Sequence, residues 1–152
     1  MKNAVNPEQS VGMIFSNPGA IRQAGRKDET KKVLVLPVLL HGALMEVAFL
    51  EGIKLKTLVN ESLLDRIRQA EEKKGGEQDP CTTECRYIKA VNPNSIVYTS
   101  VYMTREMNHQ LRALSHYSHI PEKTLIADAL AEYLFKQYGE KYPSAVNQKI
   151  VQ

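Results

Sequence analysis

The stretch IKLKTLVNESL at residues 53–63 recurs in altered form as IPEKTLIADAL at residues 120–130. Five of the eleven aligned positions are identical, and the offset of 67 residues continues upstream without a gap, so that Leu44 aligns with Leu111 and Val47 with Leu114. Self-similarity at a fixed offset is the signature of a repeated structural unit. The sequence therefore predicts two copies of one unit.

The second copy reads as a strand followed by two helices. Residues 96–103, IVYTSVYM, are rich in β-branched and aromatic side chains, which favour a strand. Thr104 is a typical helix N-cap, and Met107, Leu111 and Leu114 then recur at helical spacing. Ser118 and His119 interrupt this pattern, and Pro121 suits the first turn of a second helix, which we expect to run to about Tyr138.

The first copy repeats this order. Residues 33–36 are a short apolar strand, Pro37 opens a helix, and Gly52 ends that helix as a left-handed C-cap. The second helix carries apolar side chains from Leu58 to Ile67, and we expect it to end within the charged and glycine-containing residues 71–76.

One unit of this size is too small to enclose a core, and its single strand would have two unpaired edges. Two units can pair their strands antiparallel and bury their helix faces together. We therefore expect a single fused domain at residues 31–142, with copy one at 31–73, a connector at 74–95 and copy two at 96–142. A flexible basic arm at 1–30 precedes this domain and a C-terminal tail at 143–152 follows it.

The net positive charge of the chain is concentrated at its N-terminus. The 152 residues are 43% hydrophobic and 24% charged, which is typical of a folded domain. Residues 1–32 hold six basic and three acidic side chains, which is equivalent to the whole formal net charge of +3. This balance excludes a histone-like basic protein. Arg22, Arg26 and Lys27 could form an arm that follows a DNA groove, or a tail that only improves solubility.

Several classes of protein are disfavoured. No apolar run approaches the ~20 residues that span a bilayer, and the N-terminal sequence lacks the apolar segment of a secretory signal. We therefore expect a cytoplasmic protein with no membrane contact. Cys81 and Cys85 are too few for a disulfide scaffold, and a lone CxxxC is a weak metal signal, so no metal and no cofactor are expected. Gly75 and Gly76 follow a helix, the wrong context for a phosphate loop, and no nucleophile–base pair stands out, so we do not expect an enzyme.

The order of strand, helix, turn and helix resembles the ribbon-helix-helix (Arc/MetJ/CopG) superfamily, and two fused copies resemble the TraY family of conjugative plasmid relaxosome proteins. The resemblance rests on hydrophobic spacings that both copies share: Leu36-Pro37, Leu40, Leu44, Gly52-Ile53 and Leu58-Val59, then Val101, Met103, Leu111, Leu114, Ile120 and Leu125-Ile126. It implies a mainly α fold with a short two-stranded antiparallel β-ribbon, in which a tandem ribbon-helix-helix forms an intramolecular pseudo-dimer.

The resemblance also implies sequence-specific binding of double-stranded DNA, with the ribbon in the major groove. Since alternate strand residues face opposite sides, the expected base contacts are Tyr98, Ser100, Tyr102, Lys31, Val33 and Val35. The N-termini of the second helices would meet phosphates, and the expected contacts there are Lys54, Lys56, Thr57, Lys123 and Thr124.

Copy one departs from this pattern because Val33 and Val35 cannot hydrogen-bond to bases. Copy two departs from it because His119 replaces the glycine that the family favours, and Glu122 brings negative charge towards the expected phosphate. The sequence favours a transcriptional regulator, in particular a repressor. The alternatives are a relaxosome accessory at a plasmid origin of transfer, with a relaxase as partner, and an antitoxin-like module that binds a protein through the apolar ribbon of copy one. Association with itself on adjacent DNA sites is also open.

Overall fold

Two nine-residue strands form the sheet of this protein, whose computed structural model describes residues 28–151. Strand β1 (Glu29–Pro37) pairs antiparallel with β2 (Ile96–Thr104). Their side chains alternate between the core and the surface, as expected for a sheet with one covered face. Leu34 and Leu36 are buried on β1, and Val101 and Met103 are buried on β2.

Four helices cover the buried face of this sheet. They are α1 (Val38–Glu51), α2 (Leu55–Lys73), α3 (Arg105–Ser118) and α4 (Glu122–Tyr138), and a short 3-10 helix follows at Gln148–Ile150. Thr104 caps α3 by accepting a hydrogen bond from the backbone N–H of Met107 at 3.0 Å. The described chain is thus a mixed α/β fold with a two-stranded antiparallel sheet and four helices.

The elements of the two halves of the chain begin at a constant spacing. Glu29 and Ile96 begin the strands, Val38 and Arg105 begin the first helices, and Leu55 and Glu122 begin the second helices; each pair is 67 positions apart. The residues that follow α1 and α3 are also 67 positions apart, and both are left-handed, with φ of 70° at Gly52 and 59° at His119. The offset found in the sequence therefore recurs in the secondary structure.

The core interlocks these two halves, residues 29–73 and 96–138. Helix α2 packs against α4 in the centre, and it also contacts α3 and β2, while α1 contacts α4. Leucines from both halves meet in one cluster and are fully buried: Leu34, Leu36, Leu40, Leu44, Leu58, Leu63, Leu111, Leu114, Leu125 and Leu130. Full burial of each such side chain contributes about 1.5–3 kcal/mol of stability, and that contribution depends on both halves being present.

A buried ionic cluster on α2 and α4 joins the halves a second time. The Arg66 guanidinium donates to Asp128 at 2.7 Å and to Glu132 at 2.8 Å, and these three side chains are at most 4% exposed. Burial alone would lower the pKa of Arg66, but the hydrogen bonds to the two carboxylates outweigh it and raise that pKa. Burial would likewise raise the pKa of Glu132, but Lys136 and Arg66 hold it below its usual value.

The same cluster anchors the connector between α2 and β2. One oxygen of Asp128 accepts hydrogen bonds from the backbone N–H groups of Arg86, Tyr87 and Ile88 at 3.0, 2.6 and 2.8 Å. Two side chains of the same segment, Ile88 and Val91, are buried. The segment expected to be a simple connector is therefore held in place by a carboxylate on α4.

Two expected element boundaries differ from those in the structure, and the segment after the expected domain is partly buried. Strand β1 begins at Glu29 rather than at Val33, because lysine side chains can continue a strand whose alternate residues face solvent. Pro37 is the last residue of β1 and the N-cap of α1. The segment assigned to a C-terminal tail contributes the buried side chains Val146 and Ile150.

Candidate nucleic-acid interface

The outer face of the β-ribbon carries most of the residues predicted to contact bases. Tyr98 is 69% exposed and Val33 is 55% exposed, and Lys31 and Ser100 are also exposed. Val35 and Tyr102, nearer the helical end of each strand, are half-buried. The alternation of the strands thus leaves one tyrosine, one serine, one lysine and one valine most accessible on this face.

The residues predicted to contact phosphate lie at the N-termini of α2 and α4. Lys54 is the N-cap of α2 and Pro121 is the N-cap of α4, and neither provides a side-chain capping hydrogen bond. The backbone N–H groups of the first helical turn have no partner within the helix, so an anion can accept from them with support from the helix dipole.

The two helix starts expose different side chains. At α2, Lys54 and Thr57 are exposed and Lys56 is half-buried. At α4, Lys123 is exposed but Thr124 is only 4% exposed. Thr124 therefore cannot reach a phosphate with its hydroxyl in this conformation, and of the two residues predicted to contact phosphate at this end only Lys123 faces solvent.

Strand β2 is tied to the start of α2 by one amide side chain. The Asn60 side-chain nitrogen donates to the backbone carbonyl of Lys56 at 2.8 Å and to that of Tyr102 at 3.0 Å. These two hydrogen bonds fix the first turns of α2 relative to the strand that carries Tyr98 and Ser100.

Strand β1 is tied to the start of α4 by an ion pair. The Lys32 ammonium donates to the Glu122 carboxylate, and both side chains are at least three-quarters buried. Glu122, which the sequence placed near the expected phosphate as an unfavourable charge, is therefore neutralised by a lysine. Each strand is thus joined to the helix N-terminus of the other half of the chain.

Sequence reasoning did not assign roles to Lys32 and Asn60. The sequence does indicate that Lys32 needs a partner, because it lies on the same face of β1 as Leu34 and Leu36, and an inward-facing charge must be paired. No such signal marks Asn60, since an asparagine in the second turn of a helix reveals nothing about a carbonyl on a distant strand.

Other predicted features fall outside this surface. Arg22, Arg26 and Lys27 lie outside the described residues. Cys81 and Cys85 are half-buried free cysteines, and within residues 28–151 no group of three or more His, Cys, Asp or Glu side chains could hold a metal ion. None of the helices in the described range combines the length and apolarity needed to cross a bilayer.

Comparison of the chain with protein-family models, with curated proteins and with solved structures found no match.

Proposed function

We propose that this protein binds double-stranded DNA sequence-specifically, as a tandem ribbon-helix-helix pseudo-dimer that inserts its β-ribbon into the major groove. The observation that carries the proposal is the combination of an exposed ribbon face with two uncapped helix N-termini, each held to the strand of the other half. A two-stranded ribbon fits the major groove, where base pairs present distinct patterns of donors and acceptors.

Polar contacts between α2 and α4 support the pseudo-dimer. Arg66 contacts Asp128 and Glu132, and the residues 67 positions from these three are Tyr133, Glu61 and Asp65. Burial raises the pKa of Tyr133, and the charges of Glu61 and Asp65, together with a hydrogen bond to Glu61, raise it further. A pair of equivalent contacts with different chemistry is what a diverged two-fold repeat would produce.

Base contacts and phosphate contacts have different roles in recognition. Tyr98 and Ser100 can donate to and accept from base edges, whereas Lys54, Lys123 and the adjacent backbone N–H groups would bind phosphates. Base contacts specify the sequence and phosphate contacts fix the position of the protein on the duplex. The β1 side of the ribbon reads bases less well, because the exposed Val33 offers only apolar contact with thymine methyl groups.

The biological role that best suits such a protein is transcriptional repression, with a relaxosome accessory as the alternative. The exposed Val33 favours one further candidate, a protein-binding module that uses the β1 side of the ribbon. A search of the neighbouring genes separates these roles, since a relaxase gene favours the relaxosome and a toxin gene favours the antitoxin-like module.

The test of DNA binding is a titration of the full chain against genomic and random duplexes at several salt concentrations. We expect the affinity to fall steeply with salt, because phosphate binding releases counterions. Absence of binding to every duplex at ~50 mM salt, the low end of the informative range, would reject DNA binding as the function.

Two substitutions separate the assigned roles. Tyr98→Phe removes one exposed hydroxyl and should reduce binding to the specific site about 5- to 150-fold, as expected for the loss of about 1–3 kcal/mol, with little effect on random duplexes. Lys123→Ala should weaken both classes of duplex and lower the salt slope by about one. Tyr117→Phe, at an exposed tyrosine on α3, is the matched control. Equal losses on both duplexes for Tyr98→Phe would contradict its role as a base contact.

A further inference from the structure

Helix α1 presents an apolar face to solvent. Five large apolar side chains on it are between 43% and 80% exposed: Val38, Leu39, Met45, Phe49 and Leu50. Gly42 and Glu46 are the other exposed residues of this helix, so Glu46 is the only charged side chain among them. We call this set of seven residues the α1 face. Phe49, at 80% exposure, is the most solvent-accessible of the large apolar side chains in the described chain.

The equivalent face of α3 is polar, which shows that the fold itself does not require apolar residues there. The positions 67 residues after the five apolar ones are Arg105, Glu106, Arg112, His116 and Tyr117. All five are exposed. Two helices in equivalent positions thus differ in the surface they present. All five of these positions on α1 expose a large hydrophobic side chain to water, whereas on α3 only Tyr117 does.

We infer that the α1 face is an interface between two copies of this chain, which pack α1 against α1 around a two-fold axis. From their exposed fractions, the five apolar side chains expose about 500 Å², towards the upper end for a monomer. Two such faces together hold about 1,000 Å² of apolar surface, which reaches the lower limit for a biological interface and corresponds to a weaker association than that of stable complexes, which bury about 1,200–2,000 Å². A second copy therefore provides enough apolar surface to cover the face.

The order of residues along α1 makes this face self-complementary. In an antiparallel pair centred near residue 44, Val38 lies opposite Leu50 of the second copy and Leu39 lies opposite Phe49. A two-fold interface repeats each such contact twice. The centre suits close packing, since Gly42 has no side chain and nothing within 4 Å of where a Cβ would stand. Glu46 lies opposite Gly42, where the missing side chain leaves space for water to reach the carboxylate.

This association goes beyond the proposed DNA binding and does not depend on it. None of the α1-face residues belongs to the ribbon surface or to the starts of α2 and α4. It also differs from the pairing of the two halves of the chain, because α1 keeps its buried residues in the core of its own chain.

Sedimentation of the full chain without DNA tests the inference. We expect the mass to rise with concentration towards twice the 17.1 kDa of one chain. Phe49→Glu should keep the protein monomeric and folded, because this side chain is largely outside the core, whereas His116→Glu at the equivalent position of α3 should leave association unchanged. A wild-type chain that stays monomeric up to ~200 µM, a range in which weak interfaces associate, would overturn the inference and indicate a different occupant of the face.

Chemical cross-linking tests the antiparallel arrangement. In a chain with Cys81→Ser and Cys85→Ser, Met45→Cys lies near the expected axis and should be joined to its second copy by a short bismaleimide. Arg112→Cys, 67 positions later on α3, is the control and should give little cross-linked dimer. Equal cross-linking of the two variants would overturn the assigned interface, since it would indicate random collision.

Discussion

Cys85 illustrates at the residue scale how a fold decides the chemistry of one side chain. In the sequence it is part of a CxxxC pair that could have bound a metal. In the structure it lies near the buried ionic cluster, and its pKa is raised to about 11, first by burial and then by the negative charge of Asp128, while Arg66 opposes this shift. Because the thiolate is the reactive form, the native environment makes Cys85 a poor nucleophile.

We therefore expect Cys85 to resist alkylation in the native protein. At pH 8, a thiol with a pKa of about 11 is about one-thousandth thiolate, compared with about a quarter for an unperturbed cysteine. In a Cys81→Ser variant, iodoacetamide labelling followed by mass spectrometry should be slow at pH 8 and accelerate towards pH 10. The same chain unfolded in urea is the control and should label rapidly. Rapid native labelling at pH 8 would contradict the assigned environment of the thiol.

At the element scale, helices α1 and α3 end in the same backbone conformation with two different residues. The residues after α1 and α3 both adopt a left-handed conformation, which lets their backbone N–H groups bond to carbonyls of the preceding turn. Gly52 adopts it without strain, since it has no Cβ. His119 adopts it with steric strain between its Cβ and the backbone, which costs free energy of folding. His119 is exposed, so side-chain packing does not offset this cost.

Reciprocal substitutions at these two positions should have opposite effects. Gly52→Ala should destabilise the protein by about 1 kcal/mol, because the new Cβ strains the left-handed backbone. His119→Gly should stabilise it by about 0.5–1 kcal/mol, since relief of strain exceeds the added flexibility of the unfolded chain. Thermal unfolding should show shifts of about 2–4 °C per kcal/mol. A destabilising effect of His119→Gly would show that the imidazole makes a stabilising contact.

At the scale of the whole molecule, stability depends on contacts that neither half can make alone. The central contact between α2 and α4 contains both the leucine core and the buried cluster of Arg66, Asp128 and Glu132. A buried ion pair adds little net stability compared with an apolar replacement, but removal of one partner leaves an uncompensated charge. The cluster therefore makes the folded state sensitive to loss of its single arginine.

Arg66→Met should destabilise the protein by about 3–5 kcal/mol, because it removes the buried positive charge that both carboxylates share. Urea unfolding followed by circular dichroism would measure this loss. Tyr133→Phe, at the position 67 residues later, is the matched control and should cost about 1 kcal/mol or less, since it removes one hydrogen bond. Similar losses for the two variants would indicate that the guanidinium of Arg66 contributes no more to stability than the hydroxyl of Tyr133.

The sequence by itself determined the order of strands and helices and the offset between the two halves. These depend on local signals: alternating β-branched residues in β2, the N-cap Thr104, and the helix ends at Gly52 and at Ser118-His119. It also indicated which strand residues face outwards, because strand alternation is a local property. The DNA-binding role of those residues stays a prediction.

Only the tertiary structure decided that large apolar side chains of α1 stay exposed to solvent. The repeat indicated Leu40, Leu44 and Val47 as the core side of this helix, and their burial confirms it. The helix is nevertheless apolar on nearly every side, so its sequence has no polar face to mark the solvent side. The sequence also did not indicate three other features: the burial of Thr124, the pairing of Lys32 with Glu122, and the anchoring of the connector by Asp128. Each joins residues that are distant in the chain, and local periodicity contains no information about such partners.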